Sequence, residues 1–238
     1  LALALALTLT LTLTLTLSRP YEDTQLCAML RGRSEDEAER VRYSVGDTGC
    51  TEAVAAQMAD AVQFFEGLPP DALFLNAGIG GGRYQLEDLD VDRFDAIMRT
   101  NVRGVFLWLR AALPLLKKLE EPSQIVVTSS VLGNRATTQA AAYCASKFAV
   151  NGMVLSLRQD LRSAHPLIKV GLVCPAAIAT PWWDEPGRSG AFKATPKPTA
   201  LLSADAVAEA CISLVEQLPS SNIEQLNLEA VEGSASCV

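Results

Sequence analysis

Residues 124–175 read QIVVTSSVLGNRATTQAAAYCASKFAVNGMVLSLRQDLRSAHPLIKVGLVCP, and this stretch contains the pattern that decides the fold. It begins with a short run of Ile and Val, continues into a segment that we predict to be helix over residues 141–164, and ends in a second apolar run at residues 168–173. Short apolar runs that alternate with helical segments are typical of βαβ units, whose two strands are parallel. The stretch therefore predicts part of a parallel sheet covered by helices.

The same alternation continues on both sides of this unit. We predict further strands at residues 41–45, 72–75 and 225–228 and further helices at residues 22–40, 52–66, 92–119 and 204–218. Proline interrupts helical hydrogen bonding, so we expect a bend or break near Pro114. Because connections between parallel strands are right-handed, helices cover both faces of the sheet and the strands share one carboxyl edge, where ligands bind. The pattern predicts a single α/β domain with a Rossmann-type, doubly wound parallel sheet.

Composition and charge narrow the classes of protein to which the chain can belong. Hydrophobic residues make up 49% of the 238, enough for the core of one domain of this length. The net charge is −7 without a Lys/Arg run, so nucleic acid is not an expected partner, because phosphate binding needs concentrated positive charge. The six cysteines form no C-x-x-C pair, which predicts no zinc site and favours a reducing, cytoplasmic-type compartment. The single histidine, His165, lacks an accompanying G-x-S-x-G motif, which argues against a Ser-His-Asp hydrolase.

Residues 1–17 form a low-complexity segment with the sequence LALALALTLTLTLTLTL. A targeting signal is one interpretation, although neither a basic region nor an A-x-A cleavage site is visible. A membrane span is another, although a span needs about 20 mostly apolar residues and this segment is rich in Thr. We favour a third, in which the segment is a helix end followed by a strand of the domain, because Leu-Thr alternation has the period of a strand. Residues 18–238 then form the rest of that domain.

Polar motifs follow the predicted strands at the carboxyl edge. Asn76-Ala77-Gly78 follows residues 72–75, and Ser129-Ser130 follows residues 124–128. A third motif, P-A-A-I-A-T, ends the last strand of the quoted unit, and the long helix carries Y-C-A-S-K in its first turns. Since ligands bind at this edge, these side chains are the candidates for chemistry.

In these motifs the chain resembles the short-chain dehydrogenase/reductase family over about residues 15–229. The matching features are N-A-G, Asn101 in T-N-V-R-G-V-F, Ser130 thirteen residues before Tyr143, and the Y-x-x-x-K pair Tyr143 and Lys147. Each motif alone has a plain structural interpretation: a surface pair for Tyr143 and Lys147, a turn serine for Ser130, and a packing role for Asn101. Together, in the family's order and spacing, they are specific.

Physical chemistry agrees with a proton-transfer pair. Tyr143 and Lys147 are four residues apart and therefore share one helix face. A free tyrosine has a pKa of about 10 and is a poor base at neutral pH. A nearby ammonium favours the phenolate, so we expect Lys147 to lower the pKa of Tyr143 and to tune it for proton transfer at a substrate oxygen.

The resemblance implies a role for each residue of the motif. It implies that Tyr143 is the acid/base, that Lys147 also bonds the nicotinamide ribose, and that Ser130 hydrogen-bonds the substrate oxygen. It further implies that Asn101 holds a water linking Lys147 to solvent. The activity implied is hydride transfer between a nicotinamide cofactor and a carbonyl or secondary alcohol, in a homodimer or homotetramer.

Cofactor binding is implied for a wider set of residues. If residues 8–17 contain the family's second strand, Arg19 lies just past its end, where an arginine suits a 2′-phosphate and favours NADP(H) over NAD(H). Asp47 is similar to the family's adenine-binding aspartate, and Ile178 and Thr180 to the residues that hold the nicotinamide amide. The complete implied set is Arg19, Asp47, Asn76, Ala77, Gly78, Tyr143, Lys147, Pro175, Ile178 and Thr180.

The chain departs from the family's pattern at its beginning. The family's first strand and T-G-x-x-x-G-x-G loop, which presents backbone N–H groups to a pyrophosphate, are not found in the sequence. Two hypotheses follow. Either the chain is an incomplete copy of an active oxidoreductase, or it is a non-catalytic relative that has lost cofactor binding and acts as an interaction protein.

Overall fold

The computed structural model of the chain describes residues 11–15, 41–80, 82–180, 183 and 199–231. The strands in these ranges are β1 (Leu11–Leu15), β2 (Val41–Val45), β3 (Ala72–Leu75), β4 (Ser123–Thr128), β5 (Ile168–Pro175) and β6 (Gln225–Leu228). The α-helices are α1 (Thr51–Phe64), α2 (Val91–Met98), α3 (Gly104–Leu116), α4 (Ala141–Ala164) and α5 (Ala204–Val215). Residues 1–10, the predicted helix at 22–40 and Arg19 lie outside the described residues.

The strands form two parallel sheets. One contains β1 and β2, with Leu11 opposite Val41 and Leu15 opposite Val45. The other has the order β3-β4-β5-β6, in which every neighbouring pair is parallel. No strand within the described ranges joins β1 to β3, as expected from the absence of the family's first strand in the sequence. The predicted parallel α/β fold is confirmed.

Helices cover both faces of the four-stranded sheet. Along β4, Ile125 and Val127 pack into a core with α3 and α4, whereas Val126 faces a second core built on α5. Successive side chains of a strand point to opposite faces, so a strand covered on both sides becomes apolar along its whole length. β5 is accordingly buried at every residue, which explains the apolar run from which the strand was predicted.

The predicted helix at 92–119 is two helices joined by a π-helical turn at Arg99–Arg103. The prediction of an interruption near Pro114 is wrong, because Pro114 lies inside α3, which continues to Leu116. The irregular turn instead surrounds Asn101, which is 1% exposed. Turns of this kind are frequent at functional sites.

No helix among the described residues combines the length and the hydropathy needed to cross a membrane. This statement covers the described ranges alone.

Gly171 in β5 lies where a side chain would collide with α5. A Cβ built there would meet Leu214 Cδ2 at 2.8 Å and the Ile223 carbonyl oxygen at 3.3 Å. We expect Gly171→Ala to lower the free energy of unfolding by about 1–3 kcal/mol, the usual cost of overpacking a core. Denaturant unfolding measures this loss. In the double variant Gly171→Ala/Leu214→Ala, the loss of unfolding free energy should be smaller than the sum of the losses in the two single variants. If the two losses simply add, the added methyl group does not collide with Leu214.

Candidate functional site

The carboxyl ends of β4 and β5 bring the first site residues together. The Ser129 N–H donates to the Val173 carbonyl at 2.8 Å, which ties the two strand ends side by side. Ser130 follows, and its hydroxyl lies 3.4 Å from the Pro175 carbonyl oxygen, to which it donates. Ser130 Oγ also accepts the Leu132 N–H at 3.1 Å, so the turn role considered for Ser130 is also present.

Tyr143 lies in the first turn of α4, and its phenol is hydrogen-bonded to Ser130. Burial raises the pKa of Tyr143 to about 12, because desolvation disfavours the phenolate more than the Ser130 hydrogen bond favours it. The expectation that Lys147 lowers this pKa is therefore wrong for this structure. The Lys147 Nζ lies 5.7 Å from the centre of the ring, and desolvation is the larger effect.

Lys147 lies one turn further along α4 and is 5% exposed. Its Nζ donates to the Thr128 carbonyl at 3.0 Å, the last carbonyl of β4. Burial lowers the pKa of Lys147 to about 8, while the nearby Cys174 thiol opposes the shift. The lysine can therefore exchange a proton within about a unit of neutral pH.

Asn101 is held by hydrogen bonds on every side. Its Oδ1 accepts the Ile79 N–H at 2.8 Å, and its Nδ2 donates to the Ile79 carbonyl and to Ser146 Oγ, each at 3.0 Å. Both Nδ2 hydrogens thus form hydrogen bonds within the protein, so a water could hydrogen-bond to this side chain only at Oδ1. The water-binding role implied by the resemblance stays a prediction.

Ser146 is a site residue that the sequence analysis missed. It is fully buried, accepts from Asn101 and donates to the Tyr143 carbonyl at 2.7 Å. It thereby connects the π-helical turn to the first turn of α4, which carries Tyr143. Its place directly before Lys147 in Y-C-A-S-K was the available signal.

The N-A-G loop after β3 approaches the lysine closely. A Cβ built on Gly78 would lie 3.4 Å from Asn101 Oδ1 and 3.6 Å from Lys147 Nζ. A side chain at this position would therefore occupy the space beside the ammonium. Ala77 is half-buried, whereas Asn76 is exposed.

The segment after β5 crosses the same edge. Ile178 forms a parallel bridge with Leu202, and the Trp183 indole N–H donates to the Ile178 carbonyl at 2.6 Å. Thr180 is half-buried and its carbonyl accepts the Trp183 N–H at 3.4 Å. These backbone contacts fix the segment that contains Ile178 and Thr180.

Asp47 lies in the turn after β2, away from Tyr143. Its carboxylate pairs with the Arg99 guanidinium at 2.5 Å and accepts the Gly49 N–H at 2.8 Å. The structure thus ties this turn to the π-helical turn that contains Asn101. An adenine-binding role for Asp47 stays a prediction, and Arg19 lies outside the described residues.

Comparison with known proteins identifies the family. A model of the short chain dehydrogenase family matches residues 12–188, about three quarters of the chain. The chain belongs to the short-chain dehydrogenase family.

One curated relative within the short-chain dehydrogenases is 2-(R)-hydroxypropyl-CoM dehydrogenase from Xanthobacter autotrophicus. It is 36% identical over 148 residues, which cover 61% of this chain and 56% of that protein. The chain spans about half the length of most of the curated relatives it matches.

Two solved short-chain dehydrogenase-like structures each superpose with a TM-score of 0.68 and 26% identity. The alcohol dehydrogenase from Thermococcus sibiricus, complexed with 5-hydroxy-NADP, matches over 80% of this chain and 75% of its own. The 3-ketoacyl-(acyl-carrier-protein) reductase from Brucella melitensis, complexed with NADH, matches over 82% of this chain and 79% of its own.

Among the described residues, no group of three or more His, Cys, Asp or Glu is placed to hold a metal ion. The site is instead a hydroxyl, a phenol and an ammonium at the carboxyl edge of a parallel sheet.

Proposed function

We propose that the chain is an oxidoreductase that transfers hydride between NADP(H) and a carbonyl or secondary alcohol, with Tyr143 as the acid/base. The observation that carries the proposal is the group formed by Ser130, Tyr143 and Lys147. The phenol is hydrogen-bonded to the serine, and the buried ammonium lies 5.7 Å from the phenol ring. Such a group supplies a proton and a hydrogen-bond donor to one substrate oxygen.

Each residue has a distinct task in this proposal. Since its pKa is raised to about 12, Tyr143 is protonated at neutral pH and can donate to a carbonyl oxygen as that oxygen gains charge. The Ser130 hydroxyl beside it holds the same oxygen in place. Lys147, whose Nζ lies 5.7 Å from the centre of the phenol ring, holds the ribose of the cofactor beside the phenol.

The residues present fit the nicotinamide half of a dinucleotide. Such a cofactor supplies or accepts the hydride when it is bound. The Lys147 Nζ donates to the Thr128 carbonyl, and Gly78 leaves the space beside this ammonium free of a side chain, so Lys147 and Tyr143 can hold a ribose. Asn76, Ala77, Pro175, Ile178 and Thr180 complete the proposed contacts at this edge, with Asp47 at the adenine and Arg19 at a 2′-phosphate.

A homodimer or homotetramer is part of the proposal. Large apolar side chains are exposed on α3 and α4, namely Phe106 at 49%, Phe148 at 46% and Leu155 at 51%. Exposed apolar groups on long helices are what a partner copy would cover. Cys50, Cys144, Cys174 and Cys211 are free thiols, which supports a reducing, cytoplasmic-type compartment.

A fluorescence titration of the purified chain with NADPH and NADH tests the proposal. We expect saturable binding of both, with NADPH bound about tenfold more tightly, since an arginine pairs strongly with a phosphate. Arg19→Gln should remove this preference. Arg162→Gln, which removes an exposed arginine near the other end of α4, is the matched control and should keep it. Absence of binding by the folded chain would refute the proposed activity for this chain.

A further inference from the structure

A pocket lies at the end of the four-stranded sheet opposite to Ser130 and Tyr143. It encloses about 230 Å³ between the last turns of α4, the start of β5 and the segment that leads into β6. Ile168 and Lys169 begin β5, whereas Pro175 ends it beside Ser130. At a rise of about 3.3 Å per residue, the length of β5 separates the pocket from that site by roughly 23 Å.

Cations outnumber carboxylates around this pocket. Among the described residues, its lining includes Arg158, Arg162 and Lys169 and one acidic residue, Glu224. Glu224 lies 4.0 Å from the Arg158 guanidinium and 3.7 Å from that of Arg162, so one carboxylate is shared between two arginines. The cations around the pocket therefore exceed its carboxylates by two among the described residues, which gives the pocket a net positive charge.

Two of the cations are fixed in position by the backbone. The Arg158 side chain is 6% exposed; its Nε donates to the Val170 carbonyl at 2.7 Å and its Nη2 to the Glu224 carbonyl. Lys169 is 9% exposed and donates to the Leu218 carbonyl at 2.9 Å. Groups held in this way lose little conformational entropy when they bind a ligand.

We propose that this pocket binds a small polyanion of the phosphate class, either inorganic phosphate or the phosphate of a small phosphomonoester. Arginine guanidinium groups match phosphate oxygens with pairs of hydrogen bonds. The polar residues Ser220 and Asn222 also line the pocket. The volume of about 230 Å³ lies below the range of about 300–1,000 Å³ that is common for larger ligands, so it suits a small anion.

Calorimetric titration of the full chain with inorganic phosphate, at constant ionic strength with chloride as the balancing anion, tests this assignment. We expect saturable binding that Arg162→Gln weakens by about fivefold, since it removes one charge-assisted partner of the anion. Glu224→Gln should tighten binding by about threefold, because it removes the competing carboxylate. A small phosphomonoester such as glycerol 3-phosphate, titrated in the same way, distinguishes the two sources of the phosphate group by its relative affinity.

Arg135→Gln is the matched control. Arg135 is likewise an exposed arginine paired with a glutamate, Glu229, at 2.6 Å, but it does not line the pocket. Its loss should leave phosphate affinity unchanged. The assignment is overturned if phosphate does not bind, or if Arg135→Gln and Arg162→Gln weaken binding equally. The phosphate titrations contain no nicotinamide cofactor. A failure of the phosphate proposal is therefore distinguishable from a failure of the proposed oxidoreductase function.

Discussion

Tyr143→Phe is expected to lower kcat for carbonyl reduction by about a thousandfold, within the range of roughly 10²–10⁴ that general acid catalysis contributes. The substitution removes the phenolic hydroxyl that is hydrogen-bonded to Ser130, and with it the proton donor. The ring remains, with its position near Lys147. Affinity for NADPH should therefore stay within a few-fold of the wild-type value, as stopped-flow turnover combined with fluorescence titration would show.

Tyr84→Phe is the matched control for this experiment. Its hydroxyl accepts from Arg93 Nη1 at 2.6 Å, so the control also removes one hydrogen-bonded phenolic oxygen. We expect its kcat to remain within a few-fold of wild type, since Tyr84 is not part of the Ser130 and Lys147 group. A Tyr143→Phe variant that retained wild-type turnover would rule out this phenol as the acid.

Lys147→Met should change how stability depends on pH. The pKa of Lys147 falls from 10.5 to about 8 on folding because the ammonium is desolvated. Between these values the unfolded chain carries a proton that the folded chain has released, so raising the pH favours the folded state. Relative to the variant, the free energy of unfolding of the wild type should rise by about 2–3 kcal/mol between pH 7 and pH 10.5. This added stability should be lost again as the pH falls through about 8.

Urea unfolding of both proteins at a series of pH values measures this difference. Titrating groups distant from Lys147 contribute equally to the two proteins, so the difference reports Lys147 together with the thiol of Cys174 beside it. Lys117→Met, at the exposed end of α3, removes the same charge where solvent screens it and serves as the control. If the free energies of unfolding of wild type and Lys147→Met differ by the same amount at every pH in this series, the structure's assignment of a buried, titrating ammonium is refuted.

The predicted and observed elements agree best where the pattern is strong. α4 has the predicted bounds, and β2, β3 and β6 coincide with their predicted ranges. These segments have either a clear period or an apolar run bounded by turn residues, so the local sequence is sufficient. The order of the motifs also predicted that Ser130, Tyr143 and Lys147 belong to one site.

The differences arise where distant parts of the chain meet. A helix at residues 92–119 was a reasonable prediction from local propensity. Its π-helical turn exists because Asn101 reaches the backbone of Ile79, a contact between residues 22 apart in sequence. Ser146 was overlooked for the same reason, since its partner Asn101 is 45 residues away.

The sequence by itself determined the parallel sheet and predicted a site at its carboxyl edge and the residues that form it, because hydrophobic period and motif spacing are local properties. Only the tertiary structure decided the direction of the pKa shifts. The sign of the shift at Tyr143 depends on whether desolvation or a neighbouring charge is the larger effect, and burial is a property of the packed chain. The cationic pocket likewise exists because folding places Arg158, Lys169 and Glu224, from three separate segments, around one volume of about 230 Å³.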